Sequence, residues 1–436
     1  SIMGTRAGNG VIVITTKKAK FNQPFRISVS SALSVSSKPD LFTLNWMSSS
    51  DYIEMERFLF SNGYRFSDTS NTNRPAFTPV YEILFKQRRG QLSASDANAQ
   101  INALKEIDVR NNMEKYLYWS TFNQQYALNF SGGAKNIAYD FSAGFDDNLS
   151  ELGALYRRLS LRSGNTFSPF KNFRVTLNIE LSQGRSESGR PSYQSITYNG
   201  SSLYPYAQLA DANGNLLPIV KSLRQSYKDT AGAGKLLDWN YYPLDDYKHT
   251  QTTTTIDHWL ANLGLQYRLL NNFEFVFKYQ LEKQETAGNT LNDLNSYTTR
   301  DLINRFSQLN RSAGVVKYII PYGDILYQSG AAILSQNLRG QVNFNKVWSG
   351  NKIAAIVGAE LREIKNTTDA NTIYGYDHDH LSVSNIDFVN TYPSFLNGAS
   401  LMIPNGLSFS EQQNHFVSAY ANGAYTYSEK YTVSAS

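Results

Sequence analysis

The chain has 436 residues, 18% of them charged and 13% aromatic, with a formal net charge of +5 and no cysteine. That length is more than one small hydrophobic core needs, the absence of cysteine excludes disulfide frameworks, thiolate metal sites and cysteine nucleophiles, and the mild charge without a long basic run argues against nucleic-acid binding. No run of about 18 apolar residues exists, which excludes a membrane helix, and no secretory leader stands at the first residue.

The chain opens on SIMGTRAGNGVIVITTKKAK. Gly8-Asn9-Gly10 calls for positive φ and close backbone approach, and the unalternating VIVIT after it predicts a buried strand. From there the dominant signal is period two. Phe25 to Val35 is the first such segment; weaker ones follow at Tyr126 to Phe130, Tyr139 to Phe145 and Leu159 to Leu161. The clearest is FRVTLNIELS, where Phe173, Val175, Leu177, Ile179 and Leu181 share one face and Arg174, Thr176, Asn178, Glu180 and Ser182 the other. Ala261 to Leu269 comes next. NFEFVFKYQLEKQ then repeats the plan, with Phe273 to Leu281 opposite Glu274, Lys278, Gln280 and Glu282. Leu338 to Phe344, Ile353 to Leu361, Phe416 to Tyr427 and a beginning strand at YTVSAS complete the series.

Two segments read as helices. DYIEMERFLF spaces Tyr52, Met55, Glu56 and Leu59 along one face, and SDANAQINALKEIDV offers Ser95 as N-cap with Ile101, Leu104 and Ile107 on one side.

The connections alternate. Tight turns are predicted at 131–136, 168–172, 269–272, 348–352 and 427–430, and between them lie connections at about 37–118, 147–153, 185–249, 286–330 and 366–410, all but one long. A single amphipathic strand does not distinguish lipid from a protein core. Charged inward faces and loops sorted by end, repeated over about ten strands, point to an all-β, transmembrane antiparallel barrel over a soluble sandwich. Arg158, Arg162, Arg174, Arg268, Arg362, Glu180, Glu274, Lys278 and Glu360 are then expected to face a polar lumen.

Enzyme-like constellations are thin, and neither catalytic residues nor a cofactor is expected. Asp377-His378-Asp379-His380 has ligand types suited to a divalent metal, but neighbours on an extended loop alternate in direction, and a solvated loop is expected instead. Asp211-Ala-Asn213-Gly-Asn215 mimics the start of a calcium loop with its glycine misplaced and no glutamate at the twelfth position, so a turn is expected. Tyr193, Tyr198, Tyr204, Tyr206, Trp239, Tyr241 and Tyr242 crowd one long connection. As a group they are candidates for contact with substrate or a partner, with packing inside the loop as the alternative.

The stretch GTRAGNGVIVITTKK is very similar to the end of the plug domain in SusC-family (SusC/RagA-like) TonB-dependent transporters of Bacteroidota, through Gly4, Arg6, Asn9, Gly10, Val11, Ile14, Thr15, Thr16 and Lys17, with Gly8 in the same turn. Met3 departs from the tyrosine usual before Gly4. YALNFSGGAKN through LNIELSQG resembles early barrel strands of the same family, and LYPYAQLADANGN one of its loops. The resemblance implies that residues 1–20 end a plug and 21–436 form the first half of a barrel, with about 10–11 strands here and about 22 in the whole. It further implies import of oligosaccharides or oligopeptides across the outer membrane, powered by the TonB-ExbB-ExbD complex and covered by a SusD-like lipoprotein. Outer-membrane lipid would surround the barrel. Arg6 is expected to pair with a lumen carboxylate such as Glu180, Glu274 or Glu360. The alternatives are a passive porin, or a surface adhesin or glycan-binding β-protein.

Overall fold

Alternation at period two becomes one antiparallel sheet. The computed structural model describes residues 19–435. Eleven strands pair strictly in chain order: β1 (Gln23–Ser36), β2 (Thr121–Gly133), β3 (Ile137–Leu149), β4 (Leu155–Phe170), β5 (Phe173–Glu187), β6 (Thr250–Leu269), β7 (Phe273–Asn292), β8 (Asp324–Trp348), β9 (Asn351–Tyr376), β10 (Ser408–Tyr427) and β11 (Tyr431–Ala435). Every strand segment expected from the sequence at 25 and beyond falls on one of them as far as the described residues reach. The strand expected at VIVIT, and the positions Gly4, Arg6, Gly8, Asn9, Gly10, Thr15, Thr16 and Lys17, lie outside the described residues.

Register shows how the two faces are divided. One unbroken row runs Val29, Leu128, Ala143, Leu161, Leu181 and Trp259 across six strands. These side chains point to the open face: Val29 is 76% exposed, Leu161 43% and Trp259 58%. Such a continuous apolar surface would be a severe aggregation hazard in water and is the natural surface against lipid.

The height of that surface is also set by the sequence. On β5 the outward row is apolar from Phe173 to Leu181, on β7 from Phe273 to Leu281 and on β9 from Ile353 to Leu361, nine residues each time. Roughly 9–11 tilted residues cross a bilayer. Past it the same face turns charged: Arg185 pairs with Glu187 at 3.0 Å, Lys283 with Glu285 at 2.7 Å and Lys365 with Glu411 at 3.0 Å. Aromatic rings gather at the tight-turn end, where Phe170 stacks on Phe173 at 5.7 Å, Phe273 meets Phe344 at 4.8 Å and Trp348 meets Tyr425 at 6.4 Å. That is the amphipathic belt of a membrane interface. At the turn between β2 and β3, Gly133 is required for space, since a Cβ there would lie 2.3 Å from the Lys20 carbonyl oxygen.

Strands continue well beyond the apolar belt, which corrects two expected boundaries. The connections expected at 286–330 and 366–410 shrink to 293–323 and 377–407, because β7, β8 and β9 keep their ladders through segments such as NTTDANTIYGY that are polar on both faces. Local hydrophobic period disappears there while backbone pairing does not.

The long connections form a cap at the end opposite the tight turns. It contains α1 (Ser49–Ser61), α2 (Pro79–Arg88), α3 (Ala94–Lys105), α4 (Val109–Tyr116) and α5 (Tyr297–Phe306). Each begins at a side-chain cap, from Ser48, Thr78, Ser93, Asp108 and Ser296 respectively, that accepts an otherwise unpaired backbone N–H. The cap of α3 is thus Ser93 and not Ser95. Ser93 Oγ accepts from the Asp96 N–H at 3.1 Å and donates back to its carboxylate at 2.7 Å. On α1 the buried face is Ser49, Ile53 and Glu56, while Met55 is exposed, so the expected face is rotated by about one residue. No described helix is long and apolar enough to cross a membrane.

Candidate functional site

Polar side chains of neighbouring strands bond to one another across the inner face. Near the tight turns Glu274 accepts from Arg268 Nε at 3.0 Å, from Asn343 Nδ2 at 2.9 Å and from Gln266. The ladder continues as Gln341 donates to Asn343, Arg339 Nε donates to the Tyr420 hydroxyl at 2.7 Å, and Asn337 Nδ2 donates to Glu360 at 2.9 Å. Gly358 makes room for it, since a Cβ there would sit 2.3 Å from the Tyr420 hydroxyl. Arg174, Lys278 and Arg339 line a recess of about 400 Å³ beside this ladder. Glu180 shares the face, paired in register with Arg162. These residues give the inner surface both signs of charge and many hydrogen-bonding groups. Water and polar solutes wet such a surface, and lipid does not.

A larger chamber of about 740 Å³ lies higher, where the strands outgrow the apolar belt. Its wall is the inner face of β6 to β9, presenting Thr252, Thr254, Thr290, Ser329 and Thr372; its roof is α5 with Tyr297, Thr298 and Asp301, joined by Lys221 from the long connection 188–249. Thr252 and Thr290 hydroxyls bond to each other at 2.9 Å. The strand tops are therefore bridged by the cap, and the space between them is hydroxyl-rich.

Burial inside the cap settles where the loop aromatics stand. Tyr198, Tyr204, Tyr206, Trp239 and Tyr241 are all buried in a core shared with α1 to α4 and with Tyr297 and Leu396, whereas Tyr193 and Tyr242 are half-buried. Their polar tips are used internally. Tyr206 donates to Glu56 at 2.5 Å, Trp239 Nε1 donates to Asp301 at 2.8 Å, and the Tyr198 hydroxyl takes Arg65 Nη1 at 2.7 Å and donates to the Ala76 carbonyl at 2.8 Å. Burial pushes the Tyr198 hydroxyl up to about 12. These rings shape the cap, and what they present to a ligand passes through that shape.

Arg65 and Arg224 fasten the first long connection to the second, their guanidinium groups lying 5.1 and 4.9 Å from the Phe77 ring centre. Arg65 also donates to Asp68 at 2.7 Å and to the Ala76 carbonyl at 2.8 Å. Asn304 and Leu237 exchange two hydrogen bonds between α5 and connection 188–249, and the Phe395 N–H donates to the Arg305 carbonyl at 2.8 Å. All four long connections are therefore knitted together.

The ligand-type clusters close on themselves. Asp377 accepts from the N–H groups of Asp379 and His380 and from the His380 ring, while His378 turns to Asp324 at 2.7 Å. Among the described residues no group of three metal-ligating side chains converges. Asp211 accepts from the Asn213 and Asn215 N–H groups and from Asn215 Nδ2, which makes DANGN a turn.

Sequence reading missed Lys221, Tyr297 and Asp301. A lysine set in the apolar run Leu217 to Leu223 and Ser296 spaced before Thr299 as a helix cap were the available signals.

Solved structures supply the comparison. The RagAB peptide importer in its closed-closed state matches 98% of this chain with a TM-score of 0.63 and 15% identity, and a structure of the RagAB peptide transporter matches with 0.62 and 16%. The chain has the fold of a RagA-type, SusC-like transporter barrel. It spans about 43% of the length of those matched chains. On that fold the apolar rows lie on the outward face of the sheet, the polar ladder on its inner face, and the cap at the end opposite the tight turns. No protein-family model matches the chain, and no curated protein sequence does.

Proposed function

We propose that this chain serves active, TonB-dependent import across the outer membrane of oligopeptides or oligosaccharides too large to diffuse, in concert with a SusD-like surface lipoprotein. The observation that supports this most is the combination of a lipid-belted sheet with a polar lumen face and a rigid multi-loop cap, in the fold of the RagAB importer over 98% of the chain. A barrel that only leaks solutes has no need of an outer structure with its own core. The plug-end resemblance at Gly4 to Lys17 and the proposed tie from Arg6 to Glu180, Glu274 or Glu360 belong to the same reading. So does a non-enzymatic role, with the cap as the seat of the lipoprotein.

The experiment is uptake of radiolabelled peptide and glycan mixtures by cells producing the full-length protein, with and without functional TonB, together with purification from outer membranes. Uptake should disappear without TonB, and a lipidated companion should copurify. Uptake that persists at full rate without TonB would establish the passive porin instead.

A further inference from the structure

Among the described residues, Lys221 is a cation with no ion pair of its own. Its Nζ lies 3.9 Å from the Tyr241 ring centre and 4.8 Å from that of Tyr297, and it lines the upper chamber. The two carboxylates whose charge reaches it spend their hydrogen bonds on other groups: Asp246 accepts from the Tyr297 N–H at 2.5 Å, and Asp301 takes Trp239 Nε1 and Arg305 Nε, both at 2.8 Å. Among the described residues no carboxylate forms an ion pair with Lys221 and no acceptor takes a hydrogen from it. Two aromatic faces attract an ammonium but leave its N–H groups unspent. A half-buried charge in that condition is compensated when an anion arrives, and the chamber wall offers neutral hydroxyls that suit either amides or sugars. Burial also pulls the lysine below its usual pKa, outweighing the opposing charges of Asp246 and Asp301.

We propose that Lys221, held against Tyr241 and Tyr297, is the recognition point for a carboxylate on the ligand that occupies the upper chamber. The proposal rests on the importer reading for its physiological meaning. The carboxylate has two plausible chemical sources, a peptide terminus or acidic side chain and a uronic-acid sugar, and the test separates them.

Full-length transporter with its companion is purified in detergent as wild type, Lys221→Gln and Lys221→Arg. Calorimetry compares N-acetyl-tetra-alanine with its C-terminal amide, and tri-galacturonate with maltotriose. One acid probe should outbind its neutral counterpart by about tenfold, the worth of a charge-assisted hydrogen bond. Lys221→Gln should abolish that preference and Lys221→Arg retain it. The identity of the favoured acid names the source. In parallel, the protein is reductively ¹³C-methylated, and the Lys221 signal, assigned by its loss in Lys221→Arg, is followed against acetate and acetamide. A saturable shift with acetate alone supports the site even where the short probes bind weakly. Failure of both acid preference and acetate response overturns the proposal, as does an acid preference that survives in Lys221→Gln. TonB dependence of uptake is measured separately on the same variants: its absence would remove the importer reading and leave a Lys221 anion site standing, and the reverse result would do the opposite.

Discussion

Glu56 is a carboxylate kept from water by the cap. It is 4% exposed, and it holds the Thr78 hydroxyl at 2.6 Å and the Tyr206 hydroxyl at 2.5 Å, joining α1 to the start of α2 and to connection 188–249. Burial outweighs both hydrogen bonds and pushes its pKa up from 4.5 to about 7. Because the folded value is the higher one, the protonated form is favoured by folding. Stability of the cap is therefore greatest below about pH 4.5 as far as this group is concerned, and falls as pH rises toward 7. The shift corresponds to something on the order of 3 kcal/mol across that window. Glu56→Gln should flatten the dependence between pH 4.5 and 7, read as the pH profile of cap protection in amide exchange. A profile that stays steep in the variant would assign the dependence to another group. The residue-level signal in the sequence was half legible here. Glu56 stood on the expected helix, but its partners lie 22 and 150 residues away, and no local pattern brings them together.

At the scale of elements, membrane position follows from one face of each strand. The nine-residue outward rows on β5, β7 and β9 end at charged pairs, so the belt has a lower edge at the tight turns and an upper edge near Leu181, Leu281 and Leu361. Phe277→Arg places a cation in mid-belt and should cost about 2–4 kcal/mol. Thr254→Arg, on the polar face well above the belt, should cost far less. Urea titration of refolding into phospholipid vesicles measures both, and equal costs would put the belt elsewhere. This is also why the strands were legible and their outer halves were not. Alternation is written locally wherever one face meets lipid and the other water, as in FRVTLNIELS. Above the belt both faces meet polar surroundings, so NTTDANTIYGY carries no period although β9 continues through it. Among helices, α2 escaped notice because VYEILF is buried around most of its circumference, and α5 because YTTRDLINRF is largely polar. The chamber was invisible for a different reason, since Lys221, Thr290 and Thr372 meet only after three strands and two long connections have folded.

At the scale of the molecule, two constructions of different character share one chain. The sheet is built of neighbour pairings and each strand depends on the next, whereas the cap draws α1 to α4, connection 188–249, α5 and Leu396 into one core. Four loops folded this way behave as one cooperative unit. Arg65 tests the point because it touches two of them at once, through Asp68 and Ala76 on its own connection and Tyr198 on the second. Arg65→Ala should remove on the order of 2 kcal/mol from that unit, so amides in α1, α2 and the segment around Tyr198 to Leu223 should exchange about 30-fold faster together. The ladders of β5 to β9 within the belt should not change. Acceleration restricted to the residues flanking Arg65 would instead mean that the loops fluctuate independently. A cooperative cap matters for the proposed import because force or ligand reaching any one loop is then felt by the whole cap, including the roof that α5 and Lys221 place over the chamber.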